Sequence, residues 1–570
     1  MRAFPLRMSM PLLGKELTEQ AARKRTYVVR VAYAVGLFIA FGMLFHSVTG
    51  QAAYGWQYVL GSGRTMLETL MVFQFVGIGL FLPALMSGAI ASEKEQASLG
   101  LLFLTDIGPW ELILQKYFGR LIPMFTFLLL SLPLAAIAYS FGGITTGYLL
   151  LGVWLLILTC LQVGAFSLMC SAYCRTTVGA ILTSYLGGAL FYIGPALLVI
   201  LAEINGAHGG RGEEIVFCHI PPYLFFESSG RGVSEVLGRS IPIILSTGLF
   251  LWAARVFLVK RAFVLARNPL LAFFRALDGV FVRWNNRVGG IVLWRVGGVL
   301  PEDEPVAWRE LEKRGLGRAH YLFRLLVAIE TPVVLLGAAT VCLDGGYRRS
   351  EAATALVFLI WILATVTLTV QGANTIVTER THQTLDVLLT TPTAGVDIVR
   401  QKMRALRRLC FVLAVPLLSM LALTLWWGSG WRSSGGPWRD DAAIYLIATL
   451  LMIGIYLPMA AWVSIWIGLK VRTRFRAIMA ALLTMACWCA LPPLILFATA
   501  NTLHDNDPAW YFLLLSPASS IVLTETGGWD ATFHADAMPA FVSNFVFYGV
   551  ILLGVRGLCL RGADRYLRQE

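Results

Sequence analysis

The sequence predicts an all-α polytopic membrane protein: about twelve transmembrane helices as two parallel six-helix repeats, with cytoplasmic amphipathic connecting and coupling helices. Three observations predict it. The chain of 570 residues is 57% hydrophobic and only 14% charged, where soluble domains carry roughly 25% charged residues. Apolar runs of about 20 residues recur along it, each long enough to cross a bilayer core as a helix. A charged segment with two amphipathic patches occurs twice, as SEKEQASLGLLFLTDIGPWELILQK at 92–116 and TERTHQTLDVLLTTPTAGVDIVRQK at 378–402.

The spans are expected at 27–49, 66–91, 119–141, 147–174, 177–203 and 240–260, then 321–343, 352–377, 406–428, 441–469, 475–500 and 540–560. Helices are required there, because lipid offers no partner to exposed backbone groups. Lys and Arg placement orients them. Arg2, Arg7, Lys15 and Arg23 share one side with Lys94, Lys116, Arg175 and the linker from Lys260 onward. Arg380, Lys402, Arg472 and the tail from Arg561 fall on that side too, whereas 501–540 has no Lys or Arg. Both termini are therefore expected in the cytoplasm and the chain in the cytoplasmic (inner) membrane. The first twenty residues lack the apolar core and cleavage site of a secretory signal, so the first span is expected to direct insertion.

The net charge of +13 is read the same way. The basic residues flank apolar runs, where they set orientation and meet anionic headgroups, which excludes nucleic acid as a partner. The nine cysteines form no CxxC pair and no Cys/His cluster at metal spacing, so no metal site is expected.

The repetition has an order. Laid over its echo without a gap, the first segment pairs Glu93 with Glu379, Leu99 with Leu385, Leu102 with Leu388, Thr105 with Thr391, Gln115 with Gln401 and Lys116 with Lys402. Ahead of each half, KEL at 15–17 matches REL at 309–311, placing Glu16 opposite Glu310. After the fourth span of each half, RTTVGAI from Arg175 meets RTRFRAI from Arg472. Both halves run in the same sense, which makes a parallel tandem duplication. The expected division is a first six-span half at 1–260, a cytoplasmic linker with the second connecting helix at 261–320, and a second half at 321–570. The stretches GKELTEQAARKR and WRELEKR mix charged and apolar residues at helical spacing, as helices lying at an interface do.

Each repeated segment reads as a helix, a turn and a helix. Glu93 or Glu379 stands where the second span ends, and Leu99, Leu102 and Phe103, or Leu385, Leu388 and Leu389, make an apolar face at helical spacing. A breaker follows, DIGP at 106–109 or TPTAG at 391–395, because proline and glycine end one helix and start another. A short helix tied to two spans is a lever.

At this point the chain resembles the permease subunits of type-2 ABC exporters. Their cytoplasmic stretch between the second and third spans has the form E-(K/R)-E-x-G-T-x-x-x-L-L-x-T-P-x, with a lysine some ten residues on. Thr384 stands at the family's threonine and Ser98 substitutes for it. Pro392 stands at the family's proline, where the first half has Asp106, and Ala97 and Gln383 replace its glycine. The resemblance implies a fused permease whose coupling residues are Glu93, Leu99, Leu102, Thr105, Lys116, Glu379, Leu385, Leu388, Thr391, Pro392 and Lys402, with Glu16 and Glu310 in the connecting helices. It also implies two partner ABC ATPase subunits. The chain has no GxxxxGK[ST] phosphate loop, so no cofactor is expected on it, and ATP and Mg belong to the partner. The chain is expected to be a transport subunit, not an enzyme.

Glu330 falls mid-span where the first half has Gly36. A carboxylate at that depth costs roughly 2.5–3.5 kcal/mol on insertion scales and must face a bundle interior or a partner. Two roles are open for it, a place on the substrate path or a structural pairing. Two other functions are also open: a secondary transporter of two six-span halves, and a polytopic membrane enzyme acting on lipid-linked substrates. The seven histidines are dispersed without a paired acid motif, which weighs against the enzyme.

Overall fold

The computed structural model describes residues 11–22, 24–50, 61–96, 98–105, 107–204, 217–228, 232–261, 305–309, 319–343, 351–381, 383–427, 438–499, 513–526 and 537–568. Among the described residues every regular element is helical. Nine of the described helices are long and apolar enough to cross a membrane, and the chain is an all-α polytopic integral membrane protein. At the expected first, fifth and seventh spans the described apolar stretches are shorter: Tyr33–His46, Thr177–Tyr192 and Ile329–Ala339.

The helices fall into two compact units, Met1–Phe263 with Cys489–Ser516, and Val264–Trp488 with Pro517–Glu570. In the first, α1 (Pro11–Ala22), α2 (Lys24–Gly50) and α3 (Gly63–Glu95) are followed by the short α4 (Leu99–Phe103), α5 (Pro109–Leu129) and α6 (Leu132–Ser140). Then come α7 (Thr146–Tyr173), α8 (Thr177–Ile204), the short α9 (Pro221–Glu227) and α10 (Val233–Arg239), and α11 (Ile241–Arg261). The second unit begins with α12 (Pro305–Trp308), α13 (Ala319–Leu343), α14 (Glu351–Thr381) and the short α15 (Thr384–Leu389). It continues through α16 (Gly395–Trp427), α17 (Trp438–Lys470), α18 (Arg474–Thr499, of which the residues up to Trp488 belong to this unit), α19 (Pro517–Thr526), α20 (Ala537–Arg561) and α21 (Ala563–Arg568).

In the first unit α7 is the centre, packed along α3 on one side and α11 on the other; in the second, α17 lies between α14 and α20. Helices in lipid associate by close packing and by hydrogen bonds between small polar residues, and both devices occur. Ser171 of α7 plugs into the backbone of α3: its hydroxyl donates to Ser87 O at 2.7 Å and accepts from Ile90 N and Ala91 N at 3.1 and 3.0 Å. In the second unit the approach is through glycine. A Cβ on Gly468 would stand 2.7 Å from Ala373 O, and one on Gly372 would stand 2.9 Å from Ser464 Cβ.

The segment HIPPYLFF at 219–226 supplies α9, with proline at the first helical turn where its missing N–H costs nothing. The segment SPASS at 516–520 opens α19. Glu310, the linker at 262–304, Asp106 and Ala97 lie outside the described residues.

Candidate functional site

The turn that ends α3 is held by Glu93. Ser98 N donates to Glu93 O at 3.0 Å, while the Ser98 hydroxyl donates to the same carbonyl at 3.3 Å and to the Glu93 carboxylate. The other carboxylate oxygen, Oε1, meets Lys116 Nζ at 3.2 Å, and Lys116 also reaches Glu16 Oε1 of α1 at 2.8 Å. Arg120 Nε stands 4.0 Å from Glu16 Oε2. Two carboxylates therefore face two cations where α1, α3 and α5 meet. Gly119 makes the room: a Cβ there would come within 2.5 Å of Glu16 Oε2. Gln115, on the adjacent turn, accepts from Leu12 N at 3.0 Å and holds the start of α1.

The second unit contains the same contact set. The Thr384 hydroxyl donates to Glu379 O at 3.3 Å and to the Glu379 carboxylate. Glu379 Oε1 meets Lys402 Nζ at 3.1 Å and the Arg309 guanidinium. Lys402 donates further to Thr375 O at 3.2 Å, and Gln401 Oε1 accepts from Val306 N and Ala307 N at 3.0 and 3.1 Å. This cluster is the drier of the two, with Lys402 and Glu379 side chains 1% and 4% exposed, against 9% and 25% for Lys116 and Glu93.

The residue after each glutamate has its own task. Lys94 donates to Ala172 O and, at 3.4 Å, to Cys174 O; Arg380 donates to Val471 O at 3.5 Å and to Tyr566 O. Both cations therefore reach carbonyls at the C-terminal end of a long helix further along the chain, α7 or α17, where orphan acceptors and the helix dipole favour positive charge, and Arg380 reaches α21 as well. Glu95 extends the tie to α8 by accepting from Thr177 N at 3.1 Å and the Thr177 hydroxyl at 2.8 Å. Gln383, at the position where the resembled family has glycine, is left-handed with φ +54°. Glycine adopts that conformation without steric cost and other residues do not.

The apolar face that the helical spacing marks in each short helix is turned inward. Leu99, Leu385 and Leu388 are buried and Leu102 is half-buried. The apolar side chains that point out are Leu101 (67% exposed), Leu104 (84%) and Val387 (66%). Thr105, Thr391 and Pro392 are exposed beside them. The Thr105 and Thr391 hydroxyls cap the short helices by donating to Leu102 O and Leu388 O at 2.6 and 2.5 Å.

Asp564 is a partner that nothing in the repeat pattern announced. Its Oδ1 accepts from Gly395 N at 2.9 Å, so α21 caps the start of α16 from outside the helix. Glu330 stands apart, on α13: its Oε2 is buried and has no hydrogen-bond partner among the described residues. Among the described residues no three His, Cys, Asp or Glu side chains form a group able to hold a metal ion.

Comparison with protein-family models, with curated proteins and with solved structures finds no match.

Proposed function

We propose that the chain is the transmembrane permease of an ATP-driven ABC exporter, two permease halves of six spans fused in tandem, coupled to ATP hydrolysis on separate ATPase subunits. The observation that carries this reading is the recurrence of one contact set, Glu93–Ser98–Lys116 with Gln115 holding α1, and Glu379–Thr384–Lys402 with Gln401 holding α12. In this reading α4 and α15 face the cytoplasm, as do both termini, in the inner membrane. Leu101 and Leu104 with Thr105, and Val387 with Thr391 and Pro392, form the two docking patches, one ATPase subunit on each.

Closure of the ATPase pair around ATP and Mg pushes on α4 and α15. Five- and six-residue helices on free loops would absorb such a push. These do not, because each glutamate ties the turn to the lysine of the following span, and Lys94 or Arg380 ties it to the carbonyl end of α7 or α17. Displacement of the patch is thereby passed to several spans together. A complete buried ion pair suits this use, since losing one partner leaves an uncompensated charge and costs about 3–5 kcal/mol.

The test is purification of the tagged chain, gently extracted from its native membrane. An ABC ATPase at two copies per chain, lost from the correctly inserted Glu93→Ala/Glu379→Ala variant, supports the reading. Intact chain that carries no ATPase after crosslinking contradicts it and favours a secondary transporter of two six-span halves. Glu330 Oε2, buried with no hydrogen-bond partner among the described residues, is the observation on that side, and Glu330→Gln would then abolish ion-coupled uptake.

A further inference from the structure

On α16 the residues 400, 404, 407, 408, 411, 418, 422 and 426 fall on one face at helical spacing. All but Arg404, which is half-buried, are exposed. The stripe changes character along its length. Arg400, Arg404, Arg407 and Arg408 occupy its first turns, and Phe411, Leu418, Ala422 and Trp426 the remainder. Phe411 is 66% exposed and Trp426 80%. The opposite face, with Gln401, Lys402, Leu406 and Cys410, is buried in the second unit.

The lengths match a lipid. At a rise of about 1.5 Å per residue, Arg408 and Trp426 lie about 27 Å apart along the axis, close to the roughly 30 Å of a hydrocarbon core. Trp426 then sits at one interface and the Arg407–Arg408 pair at headgroup level on the other. Arg400 is paired with Asp397 at 3.2 Å; neither Arg407 nor Arg408 is paired with a carboxylate among the described residues. Arginine binds phosphate through a planar fork of donors, and the apolar stripe beneath the pair runs in the direction an acyl chain would take.

The feature is one-sided. With Lys116 laid on Lys402, α5 carries Phe118, Leu121, Ile122 and Phe125 where α16 carries Arg404, Arg407, Arg408 and Phe411. Leu121 is fully buried. Orientation alone does not account for a cluster present on one helix and missing from its counterpart.

We propose that the Arg407–Arg408 face of α16 is a binding site for one anionic glycerophospholipid, its phosphate on the two guanidiniums and a chain along Phe411 and Leu418. The site is independent of the transported cargo and of the ATPase reading.

The test is native mass spectrometry of the full chain, released from nanodiscs containing equal phosphatidylglycerol and phosphatidylcholine. The wild type is expected to retain one phosphatidylglycerol in preference to phosphatidylcholine. Arg407→Gln/Arg408→Gln is expected to lose that retention more than tenfold, and Arg407→Lys/Arg408→Lys, which keeps the charge but lacks the planar fork, to fall between that variant and wild type. The reference variant Arg472→Gln/Arg476→Gln neutralises two exposed arginines at the start of α18 and is expected to leave retention unchanged. Equal retention of both lipids by the wild type overturns the proposal, and that comparison needs no variant to fold. An equal loss in the two Gln variants also overturns it, by reducing the effect to general interfacial charge.

Discussion

Lys402 Nζ and Glu379 Oε1 stand 3.1 Å apart, with both side chains almost wholly removed from solvent. A buried pair of this kind contributes little net stability when whole and costs a great deal when halved. Lys402→Met is therefore expected to destabilise the protein by about 3 kcal/mol, because it removes the buried partner of the Glu379 carboxylate and leaves it to the more exposed Arg309 guanidinium. Lys402→Met/Glu379→Leu should recover a large part of that loss, since both almost wholly buried charges are then gone and the Arg309 side chain, 38% exposed, can be hydrated. Thermal unfolding in detergent reads both variants, and a double variant no better than the single one contradicts the assignment.

The inward and outward faces of α4 differ in what they tolerate. Leu99 is 3% exposed and Leu104 84%. Leu99→Asp buries an unpaired carboxylate and should prevent accumulation of folded protein, whereas Leu104→Asp should shift stability by less than about 0.5 kcal/mol. Fluorescence-detected size exclusion of the two variants separates these outcomes.

Gln383 holds a left-handed backbone at the end of the Glu379 turn. Relieving that conformation favours Gln383→Gly, partly offset by the greater freedom glycine has when unfolded, for a net gain of about 0.5–1 kcal/mol. A rise in melting temperature is expected, and a fall would show that the Gln383 side chain contributes more than its backbone costs.

Gly395 and Asp564 join the start of α16 to the last helix. A Cβ at 395 would stand 2.5 Å from Asp564 Oδ1 and 3.1 Å from Leu567 Cδ1. Gly395→Ala should therefore push α21 away, and Asp564→Ala should remove the external cap at a cost of about 1 kcal/mol. Both variants are expected to speed proteolytic removal of the chain's last residues relative to wild type; unchanged cleavage would contradict the contact.

Much of this was legible in the sequence. Apolar length marks spans, and a gapless overlay of two charged segments was enough to single out Glu93, Lys116, Glu379 and Lys402, because charged residues at the end of an apolar run are few. Thr105, Thr391 and Pro392 were named and are exposed, but the outward-facing apolar residues Leu101, Leu104 and Val387 were not legible. In a helix as short as α4, Leu99, Leu101, Leu102 and Leu104 are chemically alike, and no periodicity distinguishes a core-facing leucine from a partner-facing one. The tasks of Lys94 and Arg380 were hidden for another reason. Their acceptors are main-chain carbonyls at the ends of α7 and α17 and on α21, which leave no trace in side-chain identity. Glu310 lies outside the described residues, so in the second unit Arg309 is the described contact from the connecting segment to Glu379.

The central claim is that α4 and α15 each bear on an ATPase. A photo-crosslinking amino acid placed at Leu104, and separately at Val387, tests it most directly when activated in intact cells that express the chain at its natural level. The account predicts that both positions yield an adduct with the same nucleotide-hydrolysing subunit, and that the buried position Leu385 yields none. Adducts to lipid alone at both exposed positions would place these helices against the membrane and contradict the coupling role.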